Sequence, residues 1–226
     1  MARTARFIIP GMPHFVSQRG HESSIAFSSP GDYRLYLSLA SKAFAEQEVK
    51  SFAWVILKNS VSFVLVPSRE ESLARALGET HRRYARIQNA RREQSGKLWH
   101  SRFNSFPFEQ TLLSEGIKII EFMPVDEGLT KNPLEYNWSS AAHRLSGAPD
   151  PLETQVDIPG VDNLEDFFSK PPSKKRIDLF NAHLKTGRPL GSESFILKLE
   201  STYGRRFRPL KRGRKPKNHL PLQDNL

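Results

Sequence analysis

The chain has 226 residues and no cysteine, and Lys plus Arg outnumber Asp plus Glu by 34 to 24, a formal net charge of +10. The length suffices for one sizeable core with an appendage. The lack of cysteine excludes disulfides and thiolate zinc sites and fits a reducing compartment, while the basic balance points to a polyanionic partner, most often nucleic acid.

No apolar stretch approaches the ~18 residues of a membrane span, and the apolar run before Pro10 is too short for a signal-peptide core. A cytoplasmic, nucleoid-associated protein with no membrane partner is expected. Residues 13–19 predict a first strand ended by Gly20. Asp32 is a plausible cap for a helix to about Gln47, in which Tyr33, Tyr36, Leu37, Ala40 and Phe44 recur at helical spacing. Ser51–Leu57 and Val61–Val66 predict two strands joined by a tight turn at Lys58-Asn59. Glu70–Arg92 predicts a long helix, Arg102–Phe108 a fourth strand, and Thr111–Phe122 a short helix stopped by Pro124. The order β-α-β-β-α-β-α fits an α+β, ferredoxin-like antiparallel sheet covered by helices on one face.

Gly147, Pro149, Pro151 and Pro159-Gly160 mark a boundary. We expect a domain over 1–145, a linker over 146–171, a helical region over 172–203 and a basic tail over 204–226. In the helical region, Asp178–Lys185 and Ser192–Tyr203 flank a glycine-containing turn, with Ser192 as an N-cap candidate. That pattern suits either a helix-turn-helix or a plain helical hairpin packed on the main domain.

The positive charge is clustered in two places. Arg82, Arg83, Arg86, Arg91 and Arg92 lie on the long helix, followed by Lys97 and Arg102. Positions 82 and 86 are one turn apart and can face one phosphate backbone; the alternative is a solvated helix face. Trp99 and Phe103 are either base-stacking groups or core aromatics. The second cluster contains Arg205, Arg206, Arg208, Lys211, Arg212, Arg214 and Lys215 with no acidic residue among 204–217. Arg212-Gly-Arg-Lys-Pro is similar to an AT-hook core, in which Arg-Gly-Arg lies in a narrow A·T minor groove; the alternative is a nonspecific phosphate-binding tail.

Several segments taken together are more specific: Pro-Gly-Met-Pro-His-Phe-Val-Ser-Gln-Arg-Gly (10–20), the hairpin of 51–67, His-Arg-Arg-Tyr-Ala-Arg (81–86), Ser-Gly-Lys-Leu-Trp-His-Ser-Arg-Phe (95–103), Ile-Glu-Phe-Met-Pro-Val (120–125) and Asn-Trp-Ser-Ser (137–140). This combination resembles the one-tyrosine HUH transposases, in particular the REP-associated tyrosine transposases of bacteria, over about 1–145 and 186–217. The resemblance implies two histidines one residue apart on a strand, which alternation places on one face at a divalent metal. It further implies a tyrosine nucleophile on a nearby helix, with a polar metal ligand one turn later.

Carried onto this chain, the histidine positions fall on Ser60 and Ser62, the tyrosine on Ile119 and the helical ligand on Met123. Isoleucine has no nucleophile and neutral serine is a poor substitute for imidazole at a transition metal. No His-x-His pair occurs anywhere, and Glu121 reads as a helix-surface charge. The expected function is therefore that of a catalytically inactive, transposase-derived DNA-binding protein, with no catalytic residue, metal or cofactor. It would recognise a hairpin, palindromic or promoter element in a regulatory role, as single strand or duplex. Gln18 and Arg19 of the first segment join the basic residues above as the DNA-binding set. The alternatives are a metal-dependent single-strand nuclease with relocated ligands, and an accessory nucleic-acid-binding subunit. A protein partner or homodimer is compatible with the chain.

Overall fold

The computed structural model describes residues 6–21, 25–93, 95–146, 148–155 and 157–208. Strands β1 (His14–Arg19), β2 (Val49–Leu57), β3 (Ser60–Pro67) and β4 (Asn104–Pro107) form one antiparallel sheet in the order β2-β3-β1-β4. Helix α1 (Pro30–Glu46) joins β1 to β2, and α2 (Ser72–Arg91) joins β3 to β4. Two β-α-β units interleaved in this way are the ferredoxin-like plan. Helix α1 starts three residues earlier than expected: Ser29 is its N-cap, Pro30 takes the first turn, and Asp32 sits three residues in, where its carboxylate accepts from the Ser29 N–H at 3.0 Å.

The central strands are buried on both sides. Alternation sends Val16, Val61, Phe63 and Leu65 into a core with α1 and α2, where Tyr36, Leu37, Leu73, Leu77 and Tyr84 meet them. It sends Phe15, Val55, Val64 and Phe106 the other way, onto α3 (Leu113–Asp126) and α6 (Lys174–Thr186). The expected single helical layer is thus corrected to one on each face. The reason lies in the strands: Trp54, Val55 and Ile56 are consecutive and all fully buried, an apolar run that a sheet with one wet face would not carry. Helix α3 also runs past Pro124, expected to stop it. Pro124 stands in the last turn, where it removes one helical hydrogen bond and leaves Glu127 N to reach Met123 O.

Both sheet edges are occupied in part. Along β2, the Gln155 N–H donates to Ser51 O, the Ser51 and Thr154 hydroxyls meet at 3.1 Å, and Trp54 Nε1 donates to Asp150. Ile158 enters the second core. The stretch expected as a linker is therefore fastened to the sheet, and it carries α5 (Leu164–Ser169), whose Phe168 packs on Phe122. Beyond β4, Leu190 exchanges backbone bonds with Pro107 and Glu109. Helix α6 buries Phe180 among Phe15, Phe106 and Phe108, then ends at Gly187, whose φ of 67° is the left-handed C-cap that glycine adopts without strain. Helix α7 (Glu193–Tyr203) starts at Ser192, whose Oγ accepts from Phe195 N, and packs Phe195 and Leu199 on Ile9 and Phe207. Both helices of the expected helical region thus bury their apolar stripes against the body.

Glu121, expected on a helix surface, is fully buried. Helix α3 is sandwiched between the sheet and α4 (Ser140–Ser146), so it has no solvent face at this turn. Arg144 of α4 donates to Glu121 Oε1 at 2.9 Å and to the carbonyls of Gln155 and Phe52, and Ser140 Oγ donates to the same carboxylate oxygen. Burial raises the Glu121 pKa, and Arg144 and Ser140 oppose that rise. Breaking such a pair from one side leaves a buried charge unpaired. Arg144→Met is expected to lower the unfolding free energy in urea by about 3–5 kcal/mol. A loss under about 1 kcal/mol would show that the carboxylate is solvated or protonated instead.

Two buried histidines are held neutral. His14 Nδ1 donates to Met12 O at 2.9 Å while Nε2 accepts from Ile9 N at 3.2 Å. His81 Nε2 meets the Tyr36 hydroxyl at 2.9 Å. Burial lowers His14 to about 4 and His81 to about 3. In the unfolded chain both titrate near ~6.5, so below that pH the unfolded state binds more protons and stability falls as pH falls. Urea midpoints measured from about pH 7.5 down to about 4.5 are expected to decline from about 6.5 onward, less steeply in a His81→Gln variant. A flat wild-type profile would mean that these imidazoles are not held neutral.

Candidate functional site

Ser60 and Ser62 lie two apart on β3, on the sheet face that α3 covers. The register sets Ser62 between Ser17 and Val55, and Ser60 between Arg19 and Leu57. Ser62 is buried, and its Oγ donates to Ser17 Oγ at 3.0 Å. On α3, Ile119 is 3% exposed and Met123 is half-buried one turn on, both in the core that holds Val55, Leu57 and Val64. The four positions assigned by resemblance therefore share one side of the sheet, which is packed and mostly apolar. Among the described residues no group of three His, Cys, Asp or Glu side chains converges to hold a metal ion.

Beside Ser60, at the end of the β2–β3 hairpin, a cleft of about 230 Å³ is lined by Arg19, Asn59, Ser60, His100 and Glu127, among others. Gly20 is required here: a Cβ would meet Asn59 Oδ1 at 1.8 Å, and the Gly20 N–H donates to Asn59 O. His100 is brought in because its own N–H donates to Arg19 O, and its ring lies 6.3 Å from that of His21. Sequence spacing does not place His100 or Glu127 near Ser60. The closure of 98–100 onto β1 brings in His100, and the run of α3 past Pro124 brings in Glu127; the one local hint was the Trp-His dipeptide before β4.

The candidate DNA-binding residues divide by surroundings. Gln18, expected on the binding face, is a correction: it is buried, and its amide donates to the carbonyls of Arg19 and Ser101, because its strand position points into the first core. Arg82, Arg83 and Arg86 lie on α2, where Arg82 and Arg83 both meet Glu79. Arg91 approaches Asp32 at 3.8 Å, and Arg92 donates to the carbonyls of Ile25 and Ala26. Asp32 has a pKa lowered to about 2: burial opposes that shift, and donors on Gln88, Ser28 and Ser29 outweigh it. Lys97 is exposed. Arg102 and Arg205 line one groove at the outer edge of β4, and Arg208 pairs with Glu200 at 2.8 Å. Arg206 is exposed. Lys211, Arg212, Arg214 and Lys215, and with them the AT-hook-like core, lie outside the described residues.

The aromatic candidates are structural. Trp99 Nε1 donates to His81 O, and its ring packs 4.8 Å from the His81 imidazole and 6.2 Å from Phe27. Phe103 is buried with the Arg6 guanidinium over its face at 3.6 Å. Tyr84 is fully buried, donates to Ala26 O at 2.8 Å, and has a pKa raised by burial first and by Asp32 second. No described helix is long and apolar enough to cross a membrane.

No family model matches this sequence, and no curated protein does. Solved structures do match in fold. A REP-associated tyrosine transposase bound to a REP hairpin superposes with a TM-score of 0.55 and 15% identity, over 73% of this chain and 99% of that one. A proposed transposase from Deinococcus radiodurans gives 0.35 and 13% over 46% and 85% of the two chains. A bacterial tRNA(His) guanylyltransferase-like protein in complex with GTP gives 0.35 and 10% over 56% and 73%. The first likeness is one of fold, and the chain has the α+β, transposase-like fold expected of it.

The packing around Ile119 has a direct consequence. Ile119→Tyr, which restores the side chain implied by the resemblance, is expected to overpack this core and to cost about 1–3 kcal/mol in urea denaturation. Unchanged stability would mean that position 119 opens into a cleft.

Proposed function

We propose that this chain is a transposase-derived DNA-binding protein without phosphotransfer chemistry, acting on hairpin, palindromic or promoter DNA in a regulatory role. The observation that carries the reading is the convergence of Ser60, Ser62, Ile119 and Met123 on one packed side of the sheet. Those positions offer hydroxyls, a hydrocarbon and a thioether where a strand-borne metal site and a nucleophile would need imidazoles and a phenol. The net charge of +10 supports a polyanionic ligand. The transposase of like fold is bound to a REP hairpin, which makes hairpin DNA the first ligand to test.

A second reading, a metal-dependent nuclease with relocated ligands, is favoured only by the cleft that joins His100 and Glu127 to Ser60. Tyr84 cannot serve as its nucleophile, because a fully buried hydroxyl donating to a backbone carbonyl does not reach a phosphate in the folded chain. Binding and cleavage of a labelled hairpin strand, with magnesium or manganese, separate the two readings. The expected result is binding without cleavage, weakened in an Arg82→Ala, Arg83→Ala, Arg86→Ala chain together with a drop of about 2–3 in the slope of log affinity against log salt. Cleavage that disappears in His100→Ala would instead establish the nuclease. Binding that is indifferent to the triple substitution would move the interface off α2. Selection from sheared genomic DNA at ~0.15 M salt is expected to give discrete peaks, and a flat profile would remove the regulatory role.

A further inference from the structure

Four segments that are distant in sequence meet along the outer edge of β4: the residues before β1, the loop before β4, the C-terminal end of α6 and the residues after α7. They enclose a polar groove of about 250 Å³. Each segment contributes one cation, Arg6, Arg102, Lys185 and Arg205 respectively, and none of the described lining residues is acidic. Glu200 and Glu109 are engaged elsewhere, the first by Arg208 and the Phe207 N–H, the second by Ser192. The C-terminal carbonyls of α6 oppose an anion here by roughly half a charge, well short of four full cations.

Two features favour an anion in this groove. Arg6 is half-buried, with Nε donating to Phe103 O at 2.9 Å, and its pKa is lowered to about 10, by burial first and by Arg102 second. It is still charged at neutral pH, so the fold holds a partly desolvated guanidinium beside a second one, a cost that a bound anion would offset. Independently, Ser105 lines the same groove, is 4% exposed, and its Oγ has no hydrogen-bond partner among the described residues. A buried hydroxyl left unsatisfied is unfavourable, and a ligand oxygen would offset that cost.

We infer that this groove binds phosphate groups of a nucleic-acid strand, with Arg6, Arg102, Lys185 and Arg205 as the cationic ligands and Ser105 as a hydroxyl donor. The strand, rather than a free nucleotide, follows from what is missing for a base. The Phe103 face is covered by Arg6, and Phe7 is packed against Tyr203 and Phe207. With no free aromatic face among the described lining residues, recognition is of the backbone, which positions a strand without reading its sequence. Only the source of the phosphate rests on the DNA-binding function proposed above.

The test uses the full chain, a labelled single-stranded oligonucleotide followed by fluorescence anisotropy, and pyrophosphate followed by calorimetry. Arg102→Glu with Lys185→Glu, both exposed positions, is expected to weaken oligonucleotide binding at least about tenfold at ~0.1 M salt and to reduce the salt slope by about 1.4. Ser105→Ala is expected to weaken binding about threefold or more with the thermal midpoint kept or raised. If the double glutamate chain fails to fold, Arg102→Gln with Lys185→Gln carries the same expectation. Wild-type affinity and slope in the double variant, with oligonucleotide still bound, overturn the groove and leave the DNA-binding function standing. If the wild-type chain binds no oligonucleotide, that function falls and so does the strand assignment. Tight pyrophosphate binding that the double variant loses, and that oligonucleotide does not displace, also overturns the strand as ligand.

Discussion

The pairing of β1 with β3 is the constraint to which the rest of the molecule answers. Both strands are covered on both faces, so each residue's side is decided by register alone. A slip of β1 by one residue would drive Phe15 toward α1 and α2, push Val16 toward α3, and break the Ser17–Ser62 hydrogen bond. It would also withdraw the buried Gln18 amide from the carbonyls that satisfy it. No compensating arrangement exists when neither face is wet. The edge strands, the closing loop at 98–100 and both helical layers are then placed relative to a pair that has one register.

The same alternation decides what the face under α3 can do. Under the proposed reading, the replacement of imidazoles by Ser60 and Ser62 and of a phenol by Ile119 changes one environment and not four separate ones. An imidazole buried without a partner is costly, and this chain shows the condition for keeping one: His14 has both ring nitrogens engaged, and His81 is tied to Tyr36. Serine at position 62 is satisfied by a neighbouring hydroxyl, and isoleucine at 119 needs no partner at all. A strand that had kept its histidines and lost the facing polar groups would have left orphaned nitrogens in an apolar core. The observed set is self-consistent as packing.

The elements whose residues recur at 2 or 3.6 positions were legible in the sequence, to within a few residues at their ends. So were the hairpin turn at Lys58-Asn59 and the cap at Ser192. Other features depend on long-range partners, which periodicity does not carry. Glu121 looks like a surface charge until Arg144, 23 residues on, is set against it. The segment around Asp150 and Thr154 has the composition of a linker, yet the exposed edge of β2 supplies it with backbone and side-chain partners. At the candidate site, Ser60 and Ser62 on one face followed from strand alternation. His100 and Glu127 beside them did not, because their approach is set by loop closure and by helix length past Pro124.

Charge follows the same division between local and assembled. Runs of arginine in sequence overstate the cation available to a ligand: Arg92 is held by backbone carbonyls, Arg82 and Arg83 share Glu79, and Arg144 neutralises a buried carboxylate. Each of these groups counts toward a net charge of +10 while part of its field is cancelled at close range. Among the described residues the groove along β4 carries no acidic side chain, although its cations stand at positions 6, 102, 185 and 205, far apart in sequence. Potential in a partly enclosed, polar groove with one sign of charge on every wall exceeds that on a solvated helix face carrying both signs. The fold, by drawing both ends of its described chain to one strand edge, joins single residues from the two basic clusters with Arg6 and Lys185, which belong to neither.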